Sequence, residues 1–384
     1  MGGCETYARS SIRYHCVGIQ GSKYLGFFVN HELKNGRLVA ICDRDPKVLS
    51  KFQKQYGGLF RYYSDSDSLL ADPEIDAVFV TTPHYDHVPI SIAALKSGKH
   101  LICDKPIGVY TKNVGELLEA AEGSDRVFSM MHNQRTNPVF RKIRDMVHSG
   151  ELGALKRYVW ICTDWYRSQA YYNLGGWRAT WAGEGSGMLI NQCPHNMDLL
   201  YWIFGMPERL WAKSICGKYH QIEVEDDVSV FMEYEKGFTG TLLASTGESP
   251  GTNRLEVSCD MGRLVYEGGD SFIFDENVIA EPAFSRSEAE NHGTGFDRPA
   301  CNRRVIRPEG EETAHKGIIQ NVINAILNGE KLIAPGPEGI NALSLINAVN
   351  LSSWTDSTIE FPIDADLYWK LLQEKIEASP IKSV

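Results

Sequence analysis

Two stretches of this chain carry side chains of the right kinds, at the right spacing, for chemistry on a small molecule. The first runs Gly18-Ile19-Gln20-Gly21-Ser22-Lys23-Tyr24-Leu25-Gly26, and the next apolar run ends in Asp43. A dinucleotide turn needs a glycine for the tight bend, a small residue where the backbone nears the pyrophosphate, a glycine for helix packing, and then an acid for the ribose hydroxyls. Gly21 and Gly26 fit the outer two roles. Lys23 falls in the middle one, where its side chain must turn away from the phosphates or neutralise them. Asp43 favours NAD, because its carboxylate repels a 2′-phosphate; neighbouring Arg44 could accept one, so NADP stays open. Alone, the same glycines could merely turn a loop.

The second stretch is Gly183-Glu184-Gly185-Ser186-Gly187-Met188-Leu189-Ile190-Asn191-Gln192-Cys193-Pro194-His195-Asn196-Met197-Asp198. Its glycines would let the backbone pass close to a flat ligand without side-chain bulk. If it is helical from about Gly187, residues three and four apart stack, so Asn191, His195, Asp198 and Trp202 share a face. Pro194 would bend that helix by removing a hydrogen bond. On spacing alone His195 reads as a catalyst or as a histidine satisfied in the core. A metal reading from His195 and Asp198, or from His84 and His87, lacks a third ligand at a recognised spacing, so no metal is expected.

The elements that must position these groups change character along the chain. Tyr14 to Ile19, Leu38 to Cys42, Ala77 to Val80, His100 to Cys103 and Val127 to Met131 are short runs, several apolar almost throughout, as parallel strands covered on both faces require. Between them, Pro46 to Tyr56, Val88 to Leu95 and Lys112 to Ala121 have helical spacing. Strand and helix in alternation mean a right-handed parallel sheet of the α/β Rossmann type, with ligands at the carboxyl ends of its strands. Those ends carry Gly21, Asp43, Thr81 to His84, Asp104 to Pro106 and His132 to Arg135.

Beyond a helix ending at Gly150 the period becomes two. Lys156 to Thr163, Val228 to Tyr234, Thr239 to Ser245, Arg254 to Ser258 and Arg263 to Tyr266 read as strands, with hairpin turns at Glu235-Lys236-Gly237 and Asp260-Met261-Gly262. The expectation is an α+β domain with a large, mainly antiparallel, open-faced sheet. Residues 280–312 read as a long polar loop, and a last helix pair, Lys316 to Asn328 and Glu338 to Trp354, is divided by Pro335-Gly336-Pro337. The domains are expected at 1–135, for dinucleotide binding, and 136–384, for substrate binding and association, with the C-terminal helix packing back on the first.

With 384 residues, 39 basic and 49 acidic, the net charge is -10. No basic face stands out, which argues against a nucleic-acid partner. No stretch approaches the roughly 20 apolar residues of a membrane span. Met1-Gly2-Gly3-Cys4-Glu5-Thr6 satisfies the loose myristoylation pattern, but nothing polybasic follows, so it reads as a ragged start. The nine cysteines are scattered, without a CxxC pair, as reduced thiols of a cytoplasmic protein would be.

Asp104-Lys105-Pro106-Ile107-Gly108 after Gly98-Lys99-His100, together with Gly183 to Asp198, resembles the glucose-fructose oxidoreductase, inositol dehydrogenase and rhizopine catabolism (Gfo/Idh/MocA) family. The likeness runs in order over nearly the whole chain. In that family the lysine motif is usually Glu-Lys-Pro, which Asp104 changes conservatively, and an aspartate usually stands where this chain has Asn191.

The resemblance implies oxidation of a secondary hydroxyl of a sugar, glycoside or inositol, with hydride passing to NAD(P). His195 would be the base, because hydride leaves more easily when the hydroxyl proton leaves with it. Lys105 would stabilise the developing alkoxide on the same oxygen, and Asn191 would orient the ring or hold a substrate hydroxyl. A neutral amide there implies a less basic His195 than in aspartate-bearing relatives. Ser22, Tyr24, Thr82, Pro83, His84, His87, Asp104 and Asn133 would border the cofactor. Trp165-Tyr166-Arg167 and Tyr171-Tyr172 with Trp177-Arg178 fit a sugar pocket, aromatics on the apolar ring face and arginines on the hydroxyls, or else a core or subunit interface. Arg135 would reach the substrate. Two further readings stay open: a redox-neutral glycosidase that holds NAD and acts by transient ring oxidation and elimination, and a non-catalytic sugar sensor. Relatives often associate through the open sheet face, which implies a homodimer or homotetramer.

Overall fold

The computed structural model describes residues 12–17, 21–174 and 176–379, with 12–17 and 21–23 described by backbone alone. Met1 to Thr6 and Gly18 to Gln20 lie outside the described residues. The chain divides into two compact units, residues 1–136 with 313–343 and residues 137–312 with 344–384.

In the first unit β1 (Ile12–Val17) leads to α1 (Gly21–Val29), β2 (Gly36–Cys42), α2 (Pro46–Tyr56), β3 (Arg61–Tyr63) and α3 (Ser66–Leu70). Then follow β4 (Ala77–Val80), α4 (His84–Lys96), β5 (His100–Cys103), α5 (Thr111–Glu122) and β6 (Phe128–Met130). All five pairings are parallel, in the order β3-β2-β1-β4-β5-β6, which is the doubly wound dinucleotide topology with its switch point between β1 and β4. Every residue of β4 is buried, the reason that run is apolar without alternation. Asp45 caps α2 by accepting from the Lys47 N–H at 2.8 Å, ahead of Pro46 in the first turn.

His100 opens β5 and accepts the Val127 N–H on Nδ1 at 2.9 Å. Burial, then the Arg126 charge, lowers its pKa to about 4. The folded ring stays neutral where the unfolded ring, near its ordinary 6.5, takes up a proton. Stability is therefore full above that value and is lost as pH falls toward 4, by about 2 kcal/mol after allowing for partial solvation. Urea unfolding across that range should show the loss in the native protein and a flatter profile in His100→Gln; equal slopes would exclude this histidine as the source.

The second unit begins with α6 (Pro138–Ser149), β7 (Leu155–Cys162), α7 (Gln169–Tyr172), α8 (Met188–Asn191) and α9 (Pro194–Phe204). It continues through β8 (Arg209–Cys216), β9 (Glu225–Glu233), β10 (Thr239–Ser245), β11 (Asn253–Cys259), β12 (Gly262–Tyr266), β13 (Phe272–Asn277), α10 (Glu281–Glu290) and β14 (Cys301–Ile306). Next α11 (Ala314–Asn328) joins the first unit, followed by α12 (Gly339–Thr355), β15 (Ile359–Glu360) and α13 (Ala365–Ala378). The sheet has nine strands, ordered β14-β13-β12-β11-β7-β10-β9-β8-β15. It is mixed: β7 and β10 pair in parallel and the other neighbours antiparallel. Alternation along β9 buries Val228, Val230 and Met232. On that face Tyr158 stacks on Phe204 of α9 at 4.2 Å and Trp160 meets Phe140 of α6 at 5.8 Å. The opposite face leaves Trp211, Phe231 and Leu243 exposed.

Three expectations change. Residues 280–312 are not one loop, since they contain α10 and the edge strand β14. The helix expected from Gly187 through Trp202 is two helices, with Pro194 in the first turn of α9 rather than at a bend, so Asn191 and His195 belong to different elements. The segment that rejoins the first unit is 313–343, whereas α13 lies in the second, where Trp354 stacks on Tyr368 at 5.2 Å and Lys375 sits 5.3 Å from the Trp181 ring.

Candidate active site

In the first unit the polar groups gather at the carboxyl ends of the central strands. Asp43 directly follows β2, and its Oδ1 accepts the Asp45 N–H at 2.9 Å; burial raises its pKa, against that hydrogen bond. Arg44 is largely exposed and pairs loosely with Asp86 at 3.6 Å. Among the described residues, the Thr81 and Thr82 hydroxyls after β4 and the Asn133 amide oxygen after β6 are buried without a hydrogen-bond partner. At the carboxyl ends of the strands, where such sheets bind their ligands, these are polar atoms that a bound molecule could meet.

Lys105 follows β5, and its backbone N–H donates to Asp104 Oδ1 at 2.8 Å, while the Tyr24 hydroxyl of α1 donates to Oδ2 at 3.1 Å. Asp104 thus shapes the lysine turn from beneath. His87 clasps it from the side: its Nδ1 lies 2.6 Å from the Pro106 carbonyl and its Nε2 2.8 Å from that of Thr82. Burial lowers the pKa of this ring, against the pull of both carbonyls and Asp104. Tyr24, Asp104 and His87 were expected to border the cofactor; each spends polar atoms on organising the loop that carries Lys105. Arg135 is 1% exposed, and its Nη1 donates to Glu338 at 2.5 Å and to the Ile333 carbonyl at 3.3 Å, bracing the turn before α12 instead of standing open to a substrate. A Cβ on Gly26 would meet nothing within 4 Å among the described residues, so the packing expected of that glycine is not found.

In the second unit His195 lies in the first turn of α9, half-buried, its ring near-parallel to Trp165 with centroids 6.4 Å apart. Trp165 is fixed by its indole N–H, which donates to Asn196 Oδ1 at 3.1 Å. The Arg167 and Arg178 guanidinium carbons stand 5.1 and 5.3 Å from the Tyr171 ring, and Arg178 also lies 4.7 Å from Trp177. Tyr171 in turn accepts from Arg178 at 3.2 Å and from Gln192 Nε2, the residue after Asn191, at 3.1 Å. Tyr166 is 49% exposed. The structure therefore joins Trp165, Arg167, Tyr171 and Arg178 to the helix pair that carries Asn191 and His195.

Several organisers of this unit escaped the sequence reading. Asp226, fully buried, accepts the Lys218, Tyr219 and His220 N–H groups and faces His220 Nδ1 at 2.9 Å; His220 Nε2 lies 2.8 Å from the Arg167 carbonyl, tying the aromatic loop to the sheet. Glu225, also fully buried, accepts from the Ser186 hydroxyl at 2.7 Å and from the Gly187 and Leu189 N–H groups at 2.7 and 3.1 Å; burial nonetheless pushes its carboxyl up to about 7. A Cβ on Gly187 would lie 2.2 Å from the Glu225 carbonyl oxygen, and one on Gly183 2.2 Å from that of Trp177. These glycines admit the chain's own backbone, not a flat ligand as the sequence suggested.

Residues 12–132 match the family described as an oxidoreductase family with an NAD-binding Rossmann fold, and residues 140–265 match the GFO/IDH/MocA C-terminal domain. The chain belongs to the Gfo/Idh/MocA oxidoreductases. The uncharacterized oxidoreductase YdgJ of Escherichia coli (strain K12) is 34% identical over 38% of this chain and 40% of its own length. The scyllo-inositol 2-dehydrogenase (NADP(+)) IolW of Bacillus subtilis (strain 168) is 23% identical over 76% and 81%. The WlbA dehydrogenase from Bordetella pertussis, solved in complex with NADH and UDP-GlcNAcA, is 22% identical over 92% of this chain and 100% of its own, with a TM-score of 0.75, a likeness of fold. For a Gfo/Idh/MocA chain the unpartnered Thr81, Thr82 and Asn133 atoms and the acid after β2 fit a nicotinamide dinucleotide across the switch point. Among the described residues, no helix is long and apolar enough to cross a membrane, and no group of three His, Cys, Asp or Glu side chains could hold a metal.

Proposed function

We propose that this protein is an NAD-dependent dehydrogenase that oxidises a secondary hydroxyl of a sugar, glycoside or inositol. The observation that carries the reading is Lys105 on a shaped, doubly held turn at the end of β5, in a unit whose strand ends carry buried hydroxyl and amide oxygens without partners among the described residues. Nicotinamide, when bound, takes the hydride. Lys105 offers an ammonium to the alcohol oxygen as negative charge builds there. His195 takes the hydroxyl proton through an imidazole held beside Trp165. Trp165, Tyr166 and Trp177 provide flat apolar surfaces for a pyranose or cyclitol face, and Arg167 and Arg178 donate to its oxygens. The exposed Trp211, Phe231 and Leu243 give the sheet an apolar face that a second copy of the chain would cover.

The test is incubation with NAD and NADP separately against a panel of sugars, glycosides and inositols, following reduced nicotinamide and released aglycone together. Reduction of added NAD by at least one polyol supports the reading. Aglycone release without cofactor consumption would replace it with the glycosidase, and binding without either product would make the protein a sensor.

Cofactor choice rests on Asp43. Its carboxylate is held by the Asp45 N–H, so it cannot swing away from an incoming 2′-phosphate. In Asp43→Ala, Arg44 is free to leave its 3.6 Å pairing with Asp86 and meet that phosphate. The ratio of kcat/KM for NADP to that for NAD should rise by about 100-fold, the scale of a like-charge contact removed. An unchanged ratio would mean that another group reads the ribose.

A further inference from the structure

Glu184 lies between the aromatic loop and α8. It is 2% exposed. One carboxylate oxygen accepts the Ala179 N–H at 2.7 Å, and the other accepts from Asn191 Nδ2. Ala179 takes a left-handed backbone, φ 57°, and the chain from Trp177 to Glu184 doubles back on itself through Thr180, whose hydroxyl donates to the Trp177 carbonyl and accepts from the Gly183 N–H. So one buried acid grips both the turn that presents Trp177 and Arg178 and the amide at the end of α8.

The chemistry of the two groups makes this contact directional. An ionised carboxylate only accepts hydrogen bonds, whereas an amide side chain donates from one end and accepts at the other. Facing Glu184, Asn191 must turn its NH2 inward, and its Oδ1 then lies on the opposite side. Without the acid, either end of Asn191 could face the substrate. We infer that Glu184 is a positioning residue that fixes Asn191 as a hydrogen-bond acceptor for a substrate hydroxyl. The inference rests on the proposed alcohol oxidation and names a further determinant of how the polyol is held. In this arrangement the hydroxyl next to Asn191 donates its proton to Oδ1, which favours polyols bearing a free hydroxyl there over their O-methyl ethers or deoxy analogues.

A polarity swap tests it. In Glu184→Gln, the new amide can accept from Ala179 only by pointing its own NH2 at Asn191, which must turn over and offer a donor to the substrate. kcat/KM should fall about 30-fold, mainly through KM, within the range of couplings between contacting polar groups. In Asn191→Asp a half-buried carboxylate confronts the buried Glu184, and activity and melting temperature should both fall further. The double variant Glu184→Gln/Asn191→Asp restores the pair with donor and acceptor exchanged, and it again presents an acceptor outward; its kcat/KM should return to within about 10-fold of native and its melting temperature should exceed that of Asn191→Asp.

Melting temperature and steady-state rates are read on all four proteins. Failure of the double variant to regain stability over Asn191→Asp would overturn the Glu184–Asn191 pair. Recovery of stability without recovery of KM, in a native protein that does turn over a polyol, would overturn the positioning role. If the native protein oxidises none of the panel, the dehydrogenase reading fails, the acceptor role falls with it, and the melting temperatures alone judge the pair.

Discussion

Replacing His195 by alanine should lower kcat for polyol oxidation by about 1000-fold while leaving the protein folded and able to bind NAD. A positioned general base contributes between about 100-fold and 10,000-fold, and water in the vacated space would be a poor substitute without an oriented acceptor. His195 is half-buried in the first turn of α9, its ring near-parallel to Trp165, and truncating a half-buried side chain at a helix start should leave the protein folded. Lys105→Ala should cost a comparable factor by removing the cation that meets the developing alkoxide. The backbone of that turn is held by Asp104 and His87, so it should survive the change. Initial rates of nicotinamide reduction, with cofactor binding followed by fluorescence, check both. Native kcat in either variant would remove that residue from the chemistry.

How far these residues could be read from the sequence depends on how they are held. Strands β4 and β5 were legible to the residue because both faces of a parallel sheet are covered, so their apolar runs are unbroken. The edge strand β14 was invisible for the opposite reason. Five of its six residues are exposed, and it is held by charge pairs across the ladder, Arg303 on Asp275 and Arg304 on Glu276, which leave no burial pattern to detect. β3 is three half-buried residues, too short to give a period. The parallel pairing of β7 with β10 joins segments far apart in sequence, and hairpin signals between neighbours cannot announce it.

The site divides in the same way. Lys105 and His195 stand out because the motifs around them, Asp104 to Gly108 and Gly183 to Asp198, resemble those of the family; on spacing alone His195 reads also as a core histidine. The buried acids that hold the segments around α8 and the aromatic loop did not stand out. Glu184 sits in a glycine run that reads as spacing, and Glu225 and Asp226 open a strand whose later residues alternate normally. A charged residue at such positions reads as solvated until the donors that meet it are known, and those come from segments up to 39 positions away, as with Ser186 and Glu225.

Two glycine-to-alanine substitutions of equal size should consequently move stability in opposite directions. At Gly187 a Cβ would stand 2.2 Å from the Glu225 carbonyl oxygen, 2.9 Å from Val224 Cγ2 and 3.0 Å from the Glu225 N. Two of those atoms are backbone of β9 or its start, fixed by sheet pairing, so neither can yield as a side-chain tip would. The same glycine donates its N–H to the Glu225 carboxylate and accepts the Asn191 N–H on its carbonyl. Gly187→Ala must therefore push α8 off the sheet, breaking buried hydrogen bonds as it overpacks. The expected cost is about 3 kcal/mol or more, a fall in melting temperature of roughly 6–12 °C, with dehydrogenase activity lost as Asn191 moves. Gly115, inside α5, has nothing within 4 Å of its added Cβ and only backbone entropy to lose, so Gly115→Ala should stabilise by about 0.5–1 kcal/mol with activity unchanged. Differential scanning fluorimetry of the two variants beside the native protein separates the effects. A Gly187→Ala protein that melts with the native one would mean that the tight passage of α8 over β9, on which the orientation of Asn191 depends, is not a feature of the molecule.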